Sequence, residues 1–247
     1  EVATAYTAHV MDCMAEIEAA LGNEAESKTY RKFAAGCRRS YQALRRTPAY
    51  SLDTDRQAQL VRPLAFKLLD EVQTEYAQKR LLTALEHFHW CLGTGFLSTP
   101  LILNVLAEID LESAYRLLEN EEIPGWLSMP KNGATTIWEA WEGPNSKNGG
   151  IGSLNHYSKG AVVAWLFDTM CGIRVESENH FVITPHPGGH FTHAKADYNS
   201  VYGMVESGWE KTADGWSYHV TIPTNCTAQV RLPEKEPIML DAGSYTF

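Results

Sequence analysis

The densest chemistry in the chain lies where a carboxylate stands between two tryptophans, in Trp138-Glu139-Ala140-Trp141, with a second acid, Glu142, directly after. Indole faces pack against the apolar face of a sugar ring, while a carboxylate set between them addresses the ring hydroxyls or a water molecule. Partial burial against indole also tends to raise a carboxylate's proton affinity, as general acid–base work requires. Downstream, Asn155 and His156 add donors and acceptors suited to hydroxyl groups. From the residues alone the alternative stays open: the tryptophans anchor a loop, and Glu139 caps a helix or faces solvent.

These residues belong to a stretch, 120–156, with neither helical nor alternating periodicity. Long structureless segments inside compact domains are usually functional or disordered. This one carries three of the seven tryptophans, Trp126, Trp138 and Trp141, which is too aromatic for disorder. The elements that must position it read as helices. Val10, Met14, Ile17 and Leu21 are spaced for one helical face and stop at Gly22-Asn23; Tyr30, Phe33, Cys37, Tyr41 and Leu44 repeat the pattern up to Pro48. The short polar turn between them predicts an antiparallel hairpin. A third helix, capped by Asp53 or Thr54 and disturbed at Pro63, precedes a fourth from about Thr74 to His89. Leu101–Ile109, Leu111–Leu118 behind Asp110, and Tyr157–Met170 complete about seven.

The pattern changes near Arg174. Phe181–Thr184, Tyr198–Val205, Gly215–Val220 and Ala228–Leu232 read as short strands separated by Gly, Pro and Asn, which predicts a small antiparallel β-sandwich over 174–247. The helical part is 1–173. A net charge of −9 argues against a nucleic-acid partner, because phosphate binding needs clustered Lys and Arg; Arg38, Arg39, Arg45 and Arg46 read as a solvated helix face. No apolar run approaches the roughly 20 residues of a membrane span. Five scattered cysteines without metal spacing read as free thiols, which agrees with a reducing, cytoplasmic compartment. His186, His190 and His193 fall around Pro187-Gly188-Gly189, a turn rather than a zinc helix, so no metal and no cofactor is expected.

Several runs together resemble glycoside hydrolase family 78, the α-L-rhamnosidases: LGTGFLSTP (92–100), PGW (124–126), GATTIWEAWEG (133–143), SLNHYSKGAV (153–162), ITPHPGG (183–189) and the YxxxYG of Tyr198–Gly203. The resemblance implies an (α/α)6 barrel followed by a β-sandwich, and inverting hydrolysis of terminal α-L-rhamnose by two carboxylic acids. It implies Glu139 as the general base, His156 as a sugar contact, and Trp138 and Trp141 as site walls, with Trp141 the more sugar-facing. Ala140 departs from the family, which often has Arg after the base; this puts fine specificity in doubt more than the base.

The larger departure is an absence. The family's general acid sits in an upstream motif with Glu-Arg and Gly-Trp that residues 1–120 lack, and Glu142 is too near Glu139 to serve from the other side. Seven helices also fall short of the twelve in a six-hairpin ring. The expectation is therefore a partial toroid, the C-terminal part of a rhamnosidase whose acid lies elsewhere and whose open edge is covered by the N-terminal part of the same enzyme or by self-association. The alternatives are another (α/α)6 glycosidase and a non-catalytic carbohydrate-binding fragment.

Overall fold

The computed structural model describes residues 1–145 and 152–247. Residues 146–151, inside the loop singled out above, lie outside the described residues.

Helices α1 (Val2–Ala20) and α2 (Glu24–Arg45) form the first hairpin. Acidic Glu24 and Glu26 in the first turn of α2 and Arg45 in the last complement its dipole. The two helices meet through small residues: Ala5, Ala8 and Ala15 on α1 are buried, as are Ser27 and Ala34 on α2. Ser27 Oγ donates to the Ala15 carbonyl at 2.7 Å inside that seam. The larger apolar residues of α1 point away from this seam, with Val10 47% and Ile17 51% exposed. At the far end the Glu1 carboxylate accepts from Tyr41 Oη at 2.6 Å, Arg45 Nη2 at 2.5 Å and Arg62 Nη1 at 3.0 Å.

The second hairpin pairs α3 (Gln57–Ala65) with α4 (Glu71–His87). Pro63 lies inside α3; the Gln59 carbonyl, which an N–H at 63 would have engaged, accepts from Arg45 at 3.2 Å instead. Asp53 and Thr54 do not cap α3, whose cap position is Arg56. Asp53 and its neighbour Asp55 are drawn to Arg80, at 3.1 and 2.8 Å. Helix α4 starts earlier than its apolar spacing predicts because Asp70 and Gln73 form a capping box. Asp110 caps α6 (Leu111–Leu118) through Ser113 N at 3.0 Å, closing the third hairpin with α5 (Ile102–Ile109).

Three hairpins and a final broken helix make a partial ring of the (α/α)6 kind. A four-residue turn, α7 (Ser128–Lys131), lies within the long loop. The last helix is interrupted, running as α8 (Tyr157–Gly160), α9 (Val162–Trp165) and a π turn at Leu166–Met170. It ends at Gly172, whose φ is +78° and where a Cβ would lie 2.1 Å from the Thr184 backbone, so only glycine fits.

The β part holds two four-stranded sheets. One orders β1 (Ile173–Ser177), β2 (His180–Ile183), β6 (Thr227–Val230) and β7 (Ile238–Leu240); the other orders β3 (His193–Ser200), β4 (Gly203–Thr212), β5 (Gly215–Ile222) and β8 (Gly243–Thr246). Pairing is antiparallel except between β2 and β6, which are parallel. After β2 the chain crosses to the other sheet for three strands before returning, a connection long enough to allow that direction. The stretch Tyr198–Val205, which reads as one strand, folds back at Val201-Tyr202, with Ser200 opposite Gly203. One hydrophobic core runs through both parts and joins Leu106, Tyr115 and Trp165 to Phe181, Ile183 and Trp209. Trp209 Nε1 donates to the Met170 carbonyl at 2.8 Å and Ser207 Oγ to Cys171 at 2.5 Å across the junction.

Leu106 is fully buried, so Leu106→Ala is expected to lower unfolding free energy by about 2–5 kcal/mol. Ile17→Ala, on the outward stripe, is expected to stay within about 0.5 kcal/mol. Urea unfolding of the isolated chain at unchanged m-value checks both.

Candidate active site

The long loop is held by pairing between its own arms. Glu139 N donates to the Ser153 carbonyl at 2.8 Å, and His156 N donates to Ile137 at 2.8 Å. Thr136 Oγ1 donates to Leu154. Ser153 N then donates to Glu139 Oε2 at 2.7 Å, so the same pair of residues fixes both the backbone and one carboxylate oxygen. Gly152, at φ +63°, lies beneath this carboxylate: a Cβ there would sit 3.1 Å from Oε2.

The other oxygen, Oε1, faces His156 Nε2 across 4.0 Å. That is too long for a direct hydrogen bond, but one oxygen atom placed between them reaches both. The Glu139 side chain is 50% exposed and the His156 ring 17%. The imidazole is oriented by packing, edge-on to Phe96 at 5.4 Å and stacked on Tyr157 at 5.5 Å.

Around these two groups lies a cavity of about 280 Å³, lined by Thr94, Phe96, Thr99, Trp141, Ser158 and Lys159 besides Glu139 and His156. Its size is at the small end of ligand sites, roughly 300–1,000 Å³, and its mixture of hydroxyls, one carboxylate and aromatic edges suits a single polar ring. The opposite wall, residues 93–99, is tied down from several elements. Gly93 N donates to Gln57 Oε1 at 2.7 Å, Ser158 Oγ to Phe96 O at 2.8 Å, and Tyr6 Oη to Leu97 O at 2.8 Å. Arg62, which holds Glu1, also reaches Ser98 Oγ at 3.4 Å.

The structure brings together three of the four residues singled out from sequence: Glu139, His156 and Trp141 line the cavity. Trp138 lies behind them, buried, its main-chain N–H on Met129 Sδ at 3.4 Å and its ring against Gly143. Trp141 has one face covered by the Lys159 ammonium, 3.6 Å from the ring centroid, and stands edge-to-face with Trp126. Glu142 is exposed and outside the lining. Sequence reasoning missed Thr94, Phe96, Thr99, Ser158 and Lys159. The signal for the last two was their place directly after His156-Tyr157, within one turn of a helix start; for the first three it was the unassigned LGTGFLSTP run.

Residues 1–170 match the family model described as the bacterial alpha-L-rhamnosidase 6 hairpin glycosidase domain, and residues 179–242 match the bacterial alpha-L-rhamnosidase C-terminal domain. The chain belongs to the bacterial α-L-rhamnosidase family. Among curated α-L-rhamnosidases it is 32% identical to one from Streptomyces avermitilis over its whole length, covering 24% of that relative. It is 32% identical to another from Formosa agariphila over 99% of the chain and 28% of the relative. The chain thus spans about a quarter of the length of these relatives. Among solved structures, the rhamnosidase from Aspergillus terreus superposes with a TM-score of 0.88 at 28% identity, over 98% of this chain and 29% of that one. The Streptomyces avermitilis rhamnosidase complexed with L-rhamnose superposes with a TM-score of 0.86 at 29% identity, over 98% of this chain and 26% of that one.

Within this rhamnosidase fold the buried wall depends on Gly143. Its φ is +54°, and a Cβ there would lie 2.1 Å from the Trp138 ring. Gly143→Ala is expected to cost about 1–3 kcal/mol through displacement of that ring, read as a lower melting temperature with a shifted tryptophan emission.

Proposed function

We propose that this chain supplies the base-bearing side of an inverting α-L-rhamnosidase active site. The observation that carries the reading is the Glu139 carboxylate: one oxygen is fixed by Ser153 N–H, and the other is turned toward His156 across a gap that admits one water or hydroxyl oxygen. In this reading Glu139 takes a proton from the attacking water, His156 holds a sugar hydroxyl, and Trp141 presents its uncovered side to the ring, with Trp138 supporting the wall from behind. The L-rhamnose in the Streptomyces avermitilis structure supports a terminal rhamnoside as the substrate class.

Inversion requires an acid about 6.5–9.5 Å from the base, across the scissile bond. Among the described residues lining the cavity, Glu139 is the sole carboxylate. The acid is therefore assigned to the upstream part of the same enzyme, which also covers the outward stripe at Val10 and Ile17. The same reading divides the chain at residue 173, with a ring part at 1–173 that carries the loop 120–156 and a β part at 174–247.

In a polypeptide that supplies the upstream part of the ring, Glu139→Gln is expected to lower turnover of an aryl α-L-rhamnoside by about 10²–10⁴. Turnover within about tenfold of wild type would remove Glu139 as the base. The 247-residue chain alone is expected to hydrolyse nothing while binding L-rhamnose weakly by calorimetry. For the open edge, apolar dye binding or association in light scattering is expected of the chain alone, and both should vanish when the upstream part is present. A clean monomer that binds no dye would count against an uncovered edge.

A further inference from the structure

Lys159 takes no part in the water activation just described, yet from the cavity wall it touches the main chain of Glu139. Its Nζ donates to the main-chain carbonyl of Glu139 and lies 3.6 Å from the centroid of the Trp141 ring. Its own carbonyl accepts from Trp126 Nε1 at 3.0 Å, and Trp126 meets Trp141 edge-to-face at 6.3 Å. One residue thus joins the segment bearing the base, the indole wall and the start of the last helix. Among the described residues no carboxylate oxygen lies within ion-pair distance of Nζ, so a carbonyl and a π face stand where water or a counter-ion would otherwise be.

We propose that Lys159 is a positioning residue for Glu139: its ammonium pins the Glu139 main chain against the Trp126–Trp141 wall and places a positive charge beside the carboxylate. The groups that face this pair are Glu142, which acts on the ammonium, and His156, 4.0 Å from Glu139 Oε1. Burial lowers the Lys159 pKa to about 8, against the opposing pull of Glu142 and Glu139. The charge is therefore present at neutral pH and is lost as the pH rises through that value.

The proposal rests on Glu139 being the base for its catalytic consequence, but not for its positional one, and the two are read separately. Lys159→Met keeps the stem on the indole and removes the charge and the N–H donors; Lys159→Arg keeps both. In this chain, hydrogen exchange of the Glu139 amide, which donates to the Ser153 carbonyl, is expected to quicken about tenfold in Lys159→Met and to stay near wild type in Lys159→Arg. In a polypeptide with the upstream part, Lys159→Met is expected to lower kcat about 10- to 100-fold, because small misplacements of a reacting group are costly, with KM within about threefold. Lys159→Arg is expected to restore most of kcat, and thermal midpoints report any loss of fold. Unchanged exchange of the Glu139 amide in Lys159→Met would overturn the proposal. So would a raised KM at unaltered kcat, which would make Lys159 a sugar contact. Full turnover by Glu139→Gln would instead remove the base reading, leaving the amide exchange to judge Lys159 by itself.

Discussion

The site depends on one reciprocal exchange of hydrogen bonds between the two arms of the long loop. Glu139 N bonds to Ser153 O, and Ser153 N bonds to a Glu139 carboxylate oxygen. A half-exposed glutamate on a loop would otherwise sample several rotamers, and fixing such a side chain costs roughly 1.5–2 kcal/mol of conformational entropy at the upper end. An amide N–H donated to a carboxylate is a charge-assisted bond, stronger than a neutral one, and here it needs no additional side chain. The arrangement spends one oxygen on orientation and leaves the other for chemistry.

That exchange would be useless if the loop itself could drift. It is anchored on one side by Trp126 and Lys159, whose carbonyl and indole N–H meet at 3.0 Å, and on its inner face by Trp138 packed on Gly143 and Met129. The facing wall at 93–99 is held by Gln57, Tyr6 and Ser158, from three helices far apart in the sequence. Bonds of this range tie the cavity to the packing of the hairpins, so the helices act on the chemistry by keeping two loop segments in register. The β part braces the same scaffold, since Trp209 and Ser207 bond to the end of the last helix and share its core.

Much of this was legible in the sequence, and the misses have physical causes. Periodicity located α1, α2, α5 and α6 because their ends carry Gly22-Asn23, Pro48 and Asp110, signals that act locally. On α1 it marks the outward apolar stripe and not the seam with α2. Hydrophobicity favours Val10 and Ile17, but α1 packs on α2 through Ala5, Ala8 and Ala15, where close approach of two backbones outweighs side-chain size. The caps assigned to Asp53 and Thr54 failed because Arg80, distant in sequence, competes for the acid at 53. In the site, Glu139 and Trp141 stood out as a carboxylate set among tryptophans in one short run, and His156 through the SLNHYSKGAV run. Phe96 and Lys159 carry no such signal by residue type: they lie in the LGTGFLSTP and SLNHYSKGAV runs, and only the fold brings those two runs to one cavity.

The geometry also explains why the cavity is so small and so one-sided. About 280 Å³ around Glu139 and His156 holds one ring and little else, and its walls come from the loop 120–156, the segment 93–99 and the first turn of the last helix. Three hairpins cannot enclose a ring of six, so the remaining directions open outward, on the molecule whose α1 carries its larger apolar residues on the exposed side. The unfinished cavity and the uncovered helix face are then two consequences of a single structural fact: the hairpins among the described residues build only part of a six-hairpin ring.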